Sequence, residues 1–215
     1  MLLHCSLLAG LVLAGAPVPA AAPAKPQAEP RLTVLVLGDS LSAEYGLARG
    51  RGWVALLTRQ LAQDGIAAEV VNASISGDTT SGGRSRLPAL LRKHKPSHVV
   101  IELGGNDALR GLATAMTRNN LVVMARAARA AGAKVMLVGM QLPPNYGSHY
   151  GEAFAAMFAK VASDEKAVLV PFLLAGVADG PQADRMFQPD RIHPTAEAHP
   201  RMLANVWAVM KPWLR

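Results

Sequence analysis

The run Leu32-Thr33-Val34-Leu35-Val36-Leu37, apolar but for Thr33, is a strand pattern buried on both faces, as in a parallel sheet flanked by helices. Helical spacing follows from Trp53 to Asp64, where Trp53, Val54, Leu56, Leu57 and Leu61 share a face and Gly65 stops the run. Glu69 to Asn72 predicts a short second strand, and Leu87 to His94 the end of a helix halted before Pro96. Ser97 to Leu103 predicts a third strand, Asn119 to Ala131 a helix closed by Gly132, and Lys134 to Met140 a fourth strand. A helix over Tyr150 to Ser163, a fifth strand over Ala167 to Val170 and a last helix over Thr195 to Met210 complete the pattern. Strands alternating with helices imply right-handed crossovers. The expected class is therefore α/β: a three-layer α/β/α sandwich around a five-stranded parallel sheet.

The N-terminal stretch does not belong to that pattern. Residues 1–24 contain no Lys, Arg, Asp or Glu, and the apolar segment through Leu13 gives way to small residues and prolines. This reads as a signal peptide cleaved between Ala20 and Ala24, although His4 stands where a basic n-region normally carries Lys or Arg. The apolar part is too short to span a bilayer. Residues 25–30 form a Pro-containing linker, and 31–215 the folded domain. Cys5 is the sole cysteine, so cleavage leaves a mature chain without thiols, suited to an oxidising compartment. A periplasmic or secreted location is the expectation.

Composition narrows the picture further. With 215 residues, 51% of them hydrophobic, the chain can bury one sizeable core, and a monomeric single domain is expected. The formal charge of +7 suggests attraction to anionic surfaces such as phospholipid head groups. The basic residues are interspersed with acidic ones and no nucleic-acid-binding motif accompanies them, which argues against nucleic acid as a partner.

The candidate chemistry sits where strands end. Gly38-Asp39-Ser40-Leu41-Ser42 closes the first strand and presents a serine at the carboxyl edge of the sheet, where ligands bind in open α/β folds. Asn72-Ala73-Ser74-Ile75-Ser76-Gly77-Asp78-Thr79 follows the second strand, and the Gly77 amide is placed to donate to a developing oxyanion. Gly104-Gly105-Asn106-Asp107 follows the third, and the neutral Asn106 amide can donate to the same charge. Asp190-Arg191-Ile192-His193-Pro194 offers a carboxylate and an imidazole three residues apart, able to face the same way on one turn. Each motif alone is commonplace, but together they describe nucleophile, oxyanion donors, acid and base.

In this combination the chain resembles the SGNH (GDSL) hydrolases, and within them the bacterial periplasmic thioesterase/arylesterase/lysophospholipase subfamily. The matching stretches are Leu37 to Ala43, Val71 to Thr79, Arg86 to Leu91, Glu102 to Asp107, Leu142 to Gly147 and Ile192-His193-Pro194. The resemblance implies a flavodoxin-like sandwich and a serine esterase acting through an acyl-enzyme. It implies Ser40 as nucleophile, Asp190 and His193 as acid and base, and an oxyanion hole made by Ser40, Gly77 and Asn106. Leu109, Pro143 and Tyr146 are expected to line the acyl site. Glu44 and Ala108 depart from the residues usual in close relatives. No cofactor or metal is implied, since Asp190, His193 and His199 lack a metal-binding pattern.

Other assignments compete at particular residues. Asp39, Asp78 and Asp107 are alternative triad acids, better read as ties to loop backbone. His94, His98, His149 and His199 read as surface or loop histidines. Tyr146, His149 and Tyr150 either line the acyl site or pack under a loop. Glu102 in an apolar strand has no evident role. At the level of function, the alternatives are a carbohydrate or peptidoglycan O-acetyl esterase with the same machinery, and a non-catalytic flavodoxin-like binding protein. The latter is disfavoured by Asp39 and Glu44, which would repel a phosphate at the first loop.

Overall fold

The computed structural model describes residues 32–214. The expected signal peptide, cleavage site and linker lie outside the described residues. The described residues form five parallel strands: β1 (Leu32–Gly38), β2 (Ala68–Asn72), β3 (His98–Glu102), β4 (Lys134–Val138) and β5 (Val168–Val170). They pair in the order β2-β1-β3-β4-β5. From Val34 to Gly38, β1 is buried throughout, and β3 is buried along its whole length, which is why these stretches read as continuous apolar runs.

The described residues form seven α-helices: α1 (Trp53–Gln63), α2 (Thr80–His94), α3 (Gly105–Leu109), α4 (Thr114–Ala130), α5 (Ser148–Asp164), α6 (Ala183–Met186) and α7 (His199–Trp213). On one side α1 packs against α7; on the other α2 packs against α4 and α4 against α5. The core joins Leu35, Leu37, Ile101 and Met136 of the sheet to Trp53 and Leu57 on α1 and to Leu121, Met124, Phe154 and Phe158 on α4 and α5.

The chain runs from β1 outward to β2 and then returns past β1 to β3. The strand order therefore reverses between β1 and β3, and a crevice opens at their carboxyl ends. The helix expected to end at His94 is α2, which starts at Thr80, and the segment after β3 forms the short helix α3. One expectation needs correction. The last helix begins at His199, not Thr195, with Pro200 in its first turn, and continues past Met210 to Trp213.

Candidate active site

β1 delivers Ser40 to the crevice through a turn that only glycine admits at its start. A Cβ on Gly38 would stand 2.7 Å from Ser42 Oγ and 2.9 Å from Glu102 Oε2. Behind the turn, Ser42 donates its hydroxyl to Glu102 Oε2 at 2.7 Å and accepts Trp53 Nε1–H at 3.2 Å. The Asp39 N–H also points to Glu102 Oε2, at 3.4 Å. The acidic residue inside the apolar strand β3 is thus a hub for the turn that carries Ser40. Burial pushes the Glu102 carboxyl well above the ordinary carboxylate range, and the neighbouring Asp39 adds to the effect.

The Asp190–His193 segment is held by a small antiparallel bridge between Phe187 and Pro194, with Gln188 N–H donating to His193 O at 2.8 Å and Thr195 N–H to Met186 O at 2.8 Å. Arg191 takes a left-handed φ of 57° to close the turn. One Asp190 oxygen accepts the Ile192 and His193 N–H groups at 3.0 Å each, and the other lies 2.6 Å from His193 Nδ1. Those backbone donors, with the imidazole, hold the Asp190 carboxyl down at about 2, so it is ionised across the neutral range. His193 Nε2 lies 2.9 Å from Ser40 Oγ. Tyr45 packs its ring on the imidazole with centroids 4.2 Å apart, and Gln188 Nε2 donates to Tyr45 O at 2.9 Å and to Pro194 O at 3.0 Å. The loop after β1 and the Asp190–His193 turn are therefore strapped together.

The other two motifs converge on the same place. Ile75 N–H donates to Gly38 O at 3.0 Å, which brings the loop after β2 against the serine turn. Neither the Ser40 nor the Gly77 N–H donates to a protein acceptor among the described residues. Gly104 adopts φ 126°, open only to glycine, and starts α3, whose Asn106 donates Nδ2–H to Asp39 Oδ2 at 3.0 Å. Asp39 is 2% exposed; burial raises its carboxyl to about 6, against the opposing pull of Leu41 N–H and Asn106.

The remaining carboxylates hold backbone and neighbouring helices. Asp107 accepts Thr80 N–H at 2.8 Å at the start of α2, together with the hydroxyls of Thr80 and Thr117. Asn120 Nδ2 reaches Thr80 Oγ1 at 3.0 Å, so α2, α3 and α4 share one buried knot that sequence reading did not reveal. Asp78 pairs with Arg86 at 2.8 Å, and Arg86 also donates to Gly38 O at 3.3 Å. Glu44, in a left-handed conformation, accepts the N–H groups of Gly50 and Gly52 at 3.1 and 2.7 Å.

Two histidines are not surface residues. His98 is buried, with its ring edge-on to Trp213 at 4.5 Å. His199 is buried and accepts Trp53 N–H through Nδ1 at 2.9 Å, serving as the acceptor at the start of α1. Among the three expected acyl-site residues, Leu109 is exposed on α3, Pro143 is exposed, and Tyr146 is half-buried in the 3₁₀ turn Pro144–Tyr146. Tyr150 packs near Phe154 and donates its hydroxyl to Leu112 O at 2.9 Å, tying α5 to the loop after α3.

Residues 36–201 match the GDSL-like lipase/acylhydrolase family. The chain belongs to that family. It is a serine hydrolase of ester bonds. It is 58% identical over 182 residues to esterase TesA of Pseudomonas aeruginosa, covering 85% of this chain and 89% of that protein. It is 44% identical over 168 residues to thioesterase 1/protease 1/lysophospholipase L1 of Escherichia coli, covering 78% of each. A crystal structure of TesA superposes with a TM-score of 0.80 at 57% identity, over 84% of this chain and 98% of that one. No helix among the described residues is long and apolar enough to cross a membrane.

Proposed function

We propose that the enzyme hydrolyses carboxylic esters or thioesters of acyl chains through an acyl-enzyme, with Ser40 as nucleophile, His193 as base and Asp190 as the orienting acid. The observation that carries this reading is the chain of contacts Asp190–His193–Ser40, at 2.6 and 2.9 Å. As Ser40 Oγ bonds to the substrate carbonyl carbon, its proton passes to His193 Nε2, and Asp190 steadies the imidazolium through Nδ1–H. The carbonyl oxygen takes the charge and accepts from the N–H groups of Ser40 and Gly77 and the Asn106 amide. The intermediate collapses, the bond to the leaving group breaks, and His193 returns the proton to the departing alcohol or thiol. A water then attacks the acyl carbon while giving its proton to His193, and Ser40 leaves with that proton as the free acid forms.

The apolar rim supports acyl substrates. Tyr45, Ile75 and Ile192 on the loops that carry the site, and Leu109 at the end of α3, are large apolar side chains left exposed. Leu109, Pro143 and Tyr146 line the acyl path in this reading. With the formal charge of +7, the rim also suits contact with an anionic lipid surface. The mature enzyme is a monomer, exported to the periplasm or beyond after cleavage between residues 20 and 24.

Nitrophenyl esters of increasing acyl length, assayed beside acyl-CoA, lysophospholipid and an O-acetylated glycan, test the substrate class. The expected result is kcat/KM rising from acetyl to medium chains, with turnover of at least one of the acyl-CoA and lysophospholipid substrates. A strong preference for the acetylated glycan would overturn the reading in favour of an O-acetyl esterase.

A further inference from the structure

Asp39 lies beside the nucleophile, buried, and has no part in the proton relay described above. Its carboxylate nevertheless contacts one of the groups assigned to the oxyanion. We infer that Asp39 is a positioning residue that fixes which end of the Asn106 amide faces the reacting carbonyl. This inference rests on the proposed role of Asn106 as an oxyanion donor.

The physical reason is the symmetry of an amide. A side-chain amide can turn over at small steric cost, exchanging a donor NH2 for an acceptor oxygen at the same place. An acceptor turned toward the developing oxyanion would repel it. Asn106 Nδ2 lies 3.0 Å from Asp39 Oδ2, and an ionised carboxylate only accepts. Turning the amide over would set two acceptors against each other, so Asp39 selects one orientation. Nδ2 carries two hydrogens: one goes to Asp39 and the other remains for the substrate oxygen.

Asp39 is itself fixed on every side. Its second oxygen accepts Leu41 N–H at 3.0 Å, and its own N–H points to Glu102 Oε2 at 3.4 Å. The Glu102 carboxyl on β3 adjoins Asp39, with Asp78 on the loop after β2 and His193 on the C-terminal turn also facing it. Two buried neighbouring carboxyls do not both ionise. Burial and the neighbouring Asp39 push the Glu102 carboxyl well above the ordinary range, which leaves the negative charge on Asp39, where the Asn106 amide and Leu41 N–H donate to it. The buried acid in β3 therefore serves the oxyanion hole at one remove: it supports Asp39, and Asp39 orients Asn106.

The test is a double-mutant cycle measured on one nitrophenyl ester. Asp39→Asn keeps the shape but can donate as well as accept, which frees the Asn106 amide to turn. Asp39→Ser keeps an acceptor for Leu41 N–H within the turn but is too short to reach Asn106. Each is combined with Asn106→Ala, with circular dichroism and thermal melts confirming folded protein at the assay temperature. The expected result is that either Asp39 variant lowers kcat by about 10- to 100-fold with KM within about threefold. In the Asn106→Ala background the same changes cost less than about threefold. Full multiplicative losses in that background would overturn the inference, since Asp39 would then act through the serine turn. Wild-type kcat in both Asp39 variants would also overturn it. If Asn106→Ala alone keeps near-normal kcat, the oxyanion role of Asn106 fails and takes this inference with it, a result distinguishable because the single variant reports it.

Discussion

At the scale of single residues, the chemistry lies in short contacts among side chains far apart in sequence. Asn106→Ala removes one donor to the oxyanion and is expected to lower kcat by about 10²–10³-fold with a smaller change in KM, because the charge it meets develops in the transition state. Steady-state kinetics on a nitrophenyl ester read the split; a raised KM with normal kcat would make Asn106 a binding residue only. His193→Ala is expected to be nearly inactive, whereas Asp190→Asn retains more activity, because Asp190 orients the imidazole rather than carrying the proton. Equal losses would contradict that division. Three of the four motifs were legible because each follows a strand end and has a side chain or amide suited to its task, and the fourth because Asp190 and His193 stand three residues apart. Tyr45 against His193, and Glu102 beneath Ser42, were not. A ring on an exposed loop and an acid in an apolar strand show their partners only once the loop is folded back onto the sheet. The oddity of Glu102 was itself the signal: an acid amid Val99, Val100 and Ile101 demands a hydrogen-bond partner.

Among elements, two buried polar residues fasten helix ends. Asp107 gathers Thr80 N–H and two threonine hydroxyls where α2, α3 and α4 meet. Asp107→Ala strands these donors, and a loss of about 3 kcal/mol is expected, which for a domain of this size lowers Tm by roughly 6–12 °C. Differential scanning calorimetry would show it, and a change under 2 °C (about 0.5 kcal/mol) would mean that water replaces the carboxylate without cost. His199 joins α7 to the start of α1, and burial depresses its imidazole to about 4. A histidine held neutral in the fold but free to protonate when unfolded stabilises fully above its ordinary value near 6.5, and that contribution is lost as pH falls from there toward 4. Wild type should therefore lose more Tm between pH 7 and pH 5 than His199→Asn, whose side-chain oxygen can still accept Trp53 N–H. Parallel pH slopes for the two proteins would show that His199 is not the cause. The helix cores were legible in the periodicity of α1, α4 and α5, yet the N-terminal half of α2 was not. Thr80 to Arg86 is glycine-rich and polar, and it is helical because Thr79 accepts Gly82 N–H at 3.2 Å and Asp107 meets Thr80 N–H. Likewise α3 is too short for periodicity to show.

For the whole molecule, the strand order β2-β1-β3-β4-β5 was implied only as a class, since alternating strands and helices give a parallel sheet without stating which strand lies beside which. What the order adds is the position of the crevice: reversal between β1 and β3 sets Ser40 and Asn106 on adjacent strand ends, and the long return from β5 brings His193 over Ser40. Export is tested by N-terminal sequencing of protein from the outer compartment of an expressing bacterium, where a start between residues 21 and 25 is expected and an intact Met1 would refute cleavage. The central claim is that this assembled crevice activates one serine, and a fluorophosphonate tests it on the intact protein. Mass spectrometry should show a single adduct, mapped to Ser40, absent in Ser40→Ala and formed far more slowly in His193→Ala. An adduct on Ser74 or Ser76, or undiminished labelling of His193→Ala, would contradict the account.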